Sequence, residues 1–110
     1  MNQHAILVHS AGGPEVLQFE EVPLGPPSRG EARVRHAAIG VNFVDVYFRT
    51  GLYPPLGYPF VPGLEAAGVI EAVGPGVEEF TVGDRVVYAS RPLGAYCDVR
   101  NVPARSAPTP

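Results

Sequence analysis

The stretch VPGLEAAGVIEAVGPGVEEFTVGDRVVY, from Val61 to Tyr88, decides how this chain folds. Glu65 to Val73 is rich in small and β-branched residues and reads as a strand. Gly74-Pro75-Gly76 is turn chemistry, because glycine tolerates positive φ and proline presets the neighbouring φ. It is no phosphate loop, since no strand-GxGxxG-helix context surrounds it. Gly83-Asp84 leads into a second apolar strand, Arg85 to Tyr88. A strand, a turn and a returning strand point to a β-rich domain.

The flanking text extends this pattern. Ala5 to His9 is a short apolar run ended by Ala11-Gly12-Gly13-Pro14. Leu17 to Val22 alternates, with Leu17, Phe19 and Glu21 on one face; two core-facing residues beside one acid suit an edge or rim strand. Pro23 to Gly30 is loop throughout. Glu31 to Ile39 reads as a strand with Ala32, Val34 and His36 opposite Glu31, Arg33 and Arg35. The period then changes. Asn42 to Gly51 reads as a short helix, with Asn42 as N-cap, Asp45 at N3 near the positive helix end and Gly51 at C′. Phe43, Val46, Tyr47 and Thr50 share one helical face. Leu52 to Pro62 holds four prolines and reads as a stiff superficial loop carrying aromatics. Ala95 to Val99 alternates and is expected to be the last strand. Residues 104–110, PARSAPTP after its first proline, show no period and are expected to form an irregular tail. The expectation is one mainly β domain over residues 1–103 with one short helix near 42–50.

Composition narrows the functions. A chain of 110 residues fits one small domain, and 45% hydrophobic residues exclude compositional disorder. Glycine and proline, 13 each, favour short strands joined by sharp turns over a helical bundle. A formal net charge of −3 leaves no basic footprint for nucleic acid. No apolar run reaches the roughly 20 residues a membrane span needs, and the N-terminus lacks the pattern of a secretory signal. A cytoplasmic protein is expected. With Cys97 alone there is no internal disulfide and no multi-cysteine zinc site; the residue reads as a small buried hydrophobe. His4, His9 and His36 lack ligand spacing and read as surface or strand histidines.

Five segments in order carry a more specific signal. They are Gly12-Gly13-Pro14-Glu15-Val16-Leu17, Ala38-Ile39-Gly40-Val41-Asn42-Phe43-Val44-Asp45, Arg49-Thr50-Gly51-Leu52-Tyr53-Pro54-Pro55, Gly83-Asp84-Arg85-Val86-Val87-Tyr88 and Leu93-Gly94-Ala95-Tyr96. Together they resemble the zinc-free quinone oxidoreductase (zeta-crystallin-like) branch of the medium-chain dehydrogenase/reductase superfamily. The resemblance implies a chaperonin-10 (GroES)-like, partly open β-barrel, the N-terminal catalytic domain of such enzymes. It also implies NADPH-dependent reduction of quinones or activated alkenes by enzymes that are commonly homodimers. Their nicotinamide sits between this domain and a following Rossmann domain.

The same resemblance assigns candidate residues. Zinc-dependent relatives carry a catalytic cysteine where this chain has Asn42 and a histidine where it has Leu64. Neither asparagine nor leucine suits zinc, which prefers thiolate and imidazole, so no metal is expected. Asn42 is the first cofactor-binding candidate, and an N-cap role would also explain it. Tyr47 and Tyr53 match tyrosines lining the family's cofactor and substrate cleft; core packing is the competing reading for Tyr47. Phe43 and Asp45 are further cofactor-binding candidates, and Asp45 could instead complement the helix dipole. Glu65 reads as a structural hydrogen-bonding residue rather than an acid or base. No catalytic residue is assigned.

No Rossmann fingerprint occurs in these residues, and a truncated product, inactive alone, is the expectation. The alternative is a stand-alone barrel acting as a non-catalytic binding module.

Overall fold

A computed structural model describes residues 1–89 and 92–106. Six strands and one α-helix follow in order: β1 (Asn2–Val8), β2 (Leu17–Pro23), β3 (Glu31–Ile39), α1 (Phe43–Thr50), β4 (Glu65–Val73), β5 (Arg85–Ala89) and β6 (Val99–Pro103). β1 and β2 form a two-stranded antiparallel sheet. The second sheet has the order β5-β4-β3-β6, also antiparallel. The sheets do not close on each other, which gives the mainly β, partly open arrangement expected.

The core follows the period of two that strands impose. Ala32 and Val34 from β3, Ala66 and Ile70 from β4, Val86 and Tyr88 from β5 and Val102 from β6 point to one side and pack together. Val34, Ile70, Val86 and Val102 are almost fully buried, and each contributes about 1.5–3 kcal/mol by leaving water. Two irregularities keep that face consistent along the β3–β4 pair. Glu71 is extra in β4 between the partners of Arg33 and Val34, and Ala37 is extra in β3 between His36 and Ala38. Each bulge re-aims the strand. Gly74-Pro75-Gly76 makes the expected turn, with the Val77 N–H donating to the Gly74 carbonyl at 3.3 Å and Gly76 at φ 82°.

β1 is also tied to segments outside both sheets. Its Ile6 N–H donates to the Tyr96 carbonyl at 2.9 Å, and its Val8 exchanges both N–H···O bonds with Phe60 at 2.9 and 3.1 Å. The Val8–Phe60 bridge pins the proline-rich loop to the domain.

Four expectations are corrected. The last strand is Val99–Pro103, paired with Glu31–Arg35 of β3, rather than Ala95 to Val99. The alternation was real, since Ala95, Cys97 and Val99 are all buried. However, the Cys97 N–H turns back onto the Ala95 carbonyl at 2.8 Å, a three-residue turn that breaks any ladder there. Leu17 and Phe19 do not face the core. Among the described residues β2 has only β1 beside it, and Phe19 is 70% exposed, stacked on the His4 ring at 4.9 Å. The buried face of α1 carries Asp45 and Phe48, not the Phe43, Val46, Tyr47, Thr50 face. After β6, Ala104–Ser106 forms a 3-10 turn with Ala104 buried, where an irregular tail was expected; residues 107–110 of that tail lie outside the described residues. No helix among the described residues is long and apolar enough to cross a membrane.

Candidate functional site

The site is built on the N-terminal end of α1. Asn42 occupies the N-cap with extended backbone (φ −123°, ψ 152°), and Gly51 closes the helix in the left-handed region at φ 87°. Both positions are as the sequence predicts. The Asn42 N–H donates to Asp45 Oδ2 at 3.0 Å, which satisfies a donor that an isolated helix end leaves unpaired.

Phe43, Tyr47 and Tyr53 come together as an edge-to-face row. Ring centroids lie 5.5 Å apart from Phe43 to Tyr47 and 5.2 Å from Tyr47 to Tyr53, with interplanar angles near 70°. The Tyr53 N–H donates to the Tyr47 carbonyl at 3.1 Å, so the proline-rich loop starts anchored on the helix. Buried Phe48 backs Tyr53 at 5.8 Å. The row itself is open: Phe43 is 74% and Tyr53 46% exposed. Exposed aromatics fixed in edge-to-face geometry beside a helix N-terminus form a surface suited to a flat ring.

Asp45 is turned away from that row. It is 5% exposed, and its Oδ2 accepts a 2.6 Å hydrogen bond from the Tyr96 hydroxyl besides the Asn42 N–H. Its Oδ1 is buried without a hydrogen-bond partner among the described residues. Burial first, then the Asp45 carboxylate, raises the Tyr96 hydroxyl pKa well above the usual tyrosine range. Tyr96 is tied down on three sides. Its N–H donates to the Pro62 carbonyl, its carbonyl accepts from Ile6, and its ring lies against Gly63. Tyr96 thereby links the α1 cap to the turn that presents Leu64. Sequence reasoning passed over it as a motif residue; only the fold reveals that Asp45 needs a donor from 51 residues away.

Glu65 follows Leu64 into β4 and lies over Gly40. A Cβ on Gly40 would sit 2.1 Å from Glu65 Oε1 and 2.4 Å from its Cγ. Among the described residues the Glu65 carboxylate has no hydrogen bond, so the structural hydrogen-bonding role expected for it is not seen. Glu65 and Gly40 border a cavity of about 700 Å³ whose wall includes Ala66, Val87 and Arg105. A second cavity, about 820 Å³, begins at Pro54, the residue after Tyr53.

A separate network joins β3, β5 and the 97–100 segment. His36 Nδ1 donates to the Cys97 carbonyl at 2.8 Å, which leaves Nε2 to accept from the Tyr88 hydroxyl at 2.7 Å. Burial is the main cause that lowers the His36 pKa and raises that of Tyr88. Burial also pushes the Cys97 thiol up to about 11, so Cys97 is the inert small hydrophobe expected. His4 and His9 are half-exposed beside carboxylates. No cluster of three or more metal-ligating side chains occurs among the described residues.

Comparison with known proteins gives concordant matches. The model of the alcohol dehydrogenase GroES-like domain family matches residues 28–106. A quinone oxidoreductase of Salmonella typhimurium is 54% identical over 99 residues, covering 90% of this chain and 30% of that protein. A 2-haloacrylate reductase of a Burkholderia species is 50% identical over 103 residues, covering 91% of this chain and 31% of the relative. The crystal structure of Escherichia coli quinone oxidoreductase complexed with NADPH superposes with a TM-score of 0.92 at 47% identity, over 99% of this chain and 33% of that one. The chain thus spans about a third of the length of the proteins it matches.

Proposed function

We propose a function from one premise: this chain belongs to the alcohol dehydrogenase GroES-like domain family. It forms the catalytic-domain wall of a cytoplasmic, homodimeric, NADPH-dependent reductase of quinones or activated alkenes, and hydride transfer there uses no metal. The observation that carries this reading is the open aromatic row beside the Asn42 cap. It is supported by relatives whose names are quinone oxidoreductase and 2-haloacrylate reductase, and by the NADPH complex of the E. coli relative.

NADPH, when bound, supplies a hydride, and the protein's task is to orient and shield. Asn42 offers a polar amide at the helix N-terminus, where positive dipole favours electron-rich groups. Phe43, Tyr47 and Tyr53 present the apolar surface a nicotinamide ring would lie against, and cover it from water. Asp45 and Tyr96 act from behind, holding the cap that carries Asn42. Leu64 and Asn42 give zinc neither imidazole nor thiolate. An alcohol oxygen would therefore lack a Lewis acid to polarise it. A quinone or conjugated carbonyl is already electron-poor and needs only positioning and stabilisation of developing oxyanion charge.

The test joins this chain to the cofactor domain of the E. coli relative and introduces Asn42→Ala. Turnover with NADPH should fall at least about tenfold, the loss of one well-placed polar contact. Unchanged kinetics would remove Asn42 from the site.

A further inference from the structure

The cavity of about 820 Å³ beyond Pro54 is apolar along most of its wall, with Pro54, Leu56 and Leu93 among the residues that form it. Arg100 and Gln3 are the polar exceptions relevant here. A cavity of this size accommodates a small organic molecule.

Arg100 is rigidly held. Nη2 donates to the Pro92 and Leu93 carbonyls at 3.3 and 3.2 Å, and Nη1 reaches the Tyr88 hydroxyl at 3.5 Å. The guanidinium carbon lies 5.5 Å from the centre of the Tyr88 ring. On its other side it rests against Gly94, where a Cβ would come within 2.8 Å of Cζ. All these partners are neutral. Among the described residues no carboxylate pairs with Arg100, and Asp98, two residues away, is set against His4 Nδ1 at 3.8 Å instead. Among the described residues, three bonds use three of the five guanidinium donors and leave two.

Gln3 adds a second oriented donor. Its Oε1 accepts from the Asp98 and Val99 N–H groups at 3.2 and 3.3 Å, which fixes the amide and leaves its NH2 group without a partner among the described residues. A fixed, partly desolvated cation with spare donors, beside an amide NH2 and under apolar walls, is complementary to one kind of ligand.

We infer that this cavity binds a small apolar carboxylate, the carboxylate held by Arg100 and the Gln3 amide and the hydrocarbon part against Pro54, Leu56 and Leu93. The inference stands apart from the reductase reading, because binding here requires neither NADPH nor a second domain.

The test uses the 110-residue chain and two probes of equal shape, 2-naphthoate and 2-naphthalenemethanol, titrated by calorimetry at pH 7. The carboxylate should bind at least about tenfold more tightly, the worth of one charge-assisted contact. Arg100→Gln should abolish that preference. Should Arg100→Gln fail to fold, Leu56→Asp decides, since Leu56 is fully exposed: both probes lose its apolar contact, and the added negative charge should weaken 2-naphthoate by the larger factor, so that the carboxylate preference shrinks. Absence of binding, equal binding of both probes, or an undiminished carboxylate preference in the folded variant overturns the inference.

Discussion

Replacing Tyr96 by phenylalanine removes one hydroxyl and keeps the ring against Gly63 and both backbone hydrogen bonds. The hydroxyl donates at 2.6 Å to a carboxylate that is 95% buried by complement of its 5% exposure. In the variant, Asp45 Oδ2 keeps only the Asn42 N–H, and Oδ1 already has no hydrogen-bond partner among the described residues. A hydrogen bond to a charged group is worth about 1.5–3 kcal/mol. We expect a loss of roughly 2 kcal/mol, which for a domain of this size lowers Tm by roughly 6–12 °C. With m-values of about 1–3 kcal/mol per molar urea, the midpoint falls by about 1 M. Urea unfolding followed by circular dichroism reads this directly. In an Asp45→Asn background the same change should be much smaller, because the carboxylate is the partner. The reasoning is refuted by a midpoint within about 0.2 M of the parent, or by an equal loss in both backgrounds. The bond also has a pH signature. The folded-state pKa of Tyr96 is raised, so its contribution is complete below the ordinary tyrosine value of about 10 and declines as pH rises past it. Tyr96→Phe should lack that alkaline decline.

Two further outcomes follow from the strand side of the domain. Burial lowers the His36 pKa below 6.5, so its contribution to stability is complete above that pH and is lost as pH falls; the drop in urea midpoint between pH 7.5 and 5.5 should be smaller in His36→Gln than in the parent. Gly40→Ala places a Cβ on the Glu65 side chain and should cost about 1–2 kcal/mol. Glu65→Ala in the same chain should restore most of that loss, and failure of the double variant to recover would mean that Glu65 is not the obstacle.

The strands were legible where burial alternates on one sheet face. Buried residues recur every second position within each strand, as in Ala32 and Val34, Ala66, Gly68 and Ile70, and Val86 and Tyr88, and flanking glycines and prolines mark the ends. The helix was legible through its caps, Asn42 and Gly51. The alternation at Ala95, Cys97 and Val99 reported burial correctly and pairing wrongly, because periodicity cannot tell a ladder from a turn that buries the same side chains. Phe19 misled for the opposite reason: its alternation fits a strand, but no second layer covers β2. Within the site, Phe43, Tyr47 and Tyr53 lie close enough in sequence for one helix and one loop to bring them together. The support behind them was invisible. Tyr96 meets Asp45, Glu65 meets Gly40, and Arg100 and Gln3 come to line one cavity only through long-range contacts that local pattern does not encode.

The central claim is that these residues form one wall of a metal-free, NADPH-using reductive site. Its most direct measurement is quinone-dependent NADPH oxidation by this chain fused to the cofactor domain of the E. coli relative, with and without a strong zinc chelator. The account predicts turnover that the chelator leaves unchanged, while the 110-residue chain alone shows none. A folded fusion without turnover, or turnover abolished by the chelator, would contradict it.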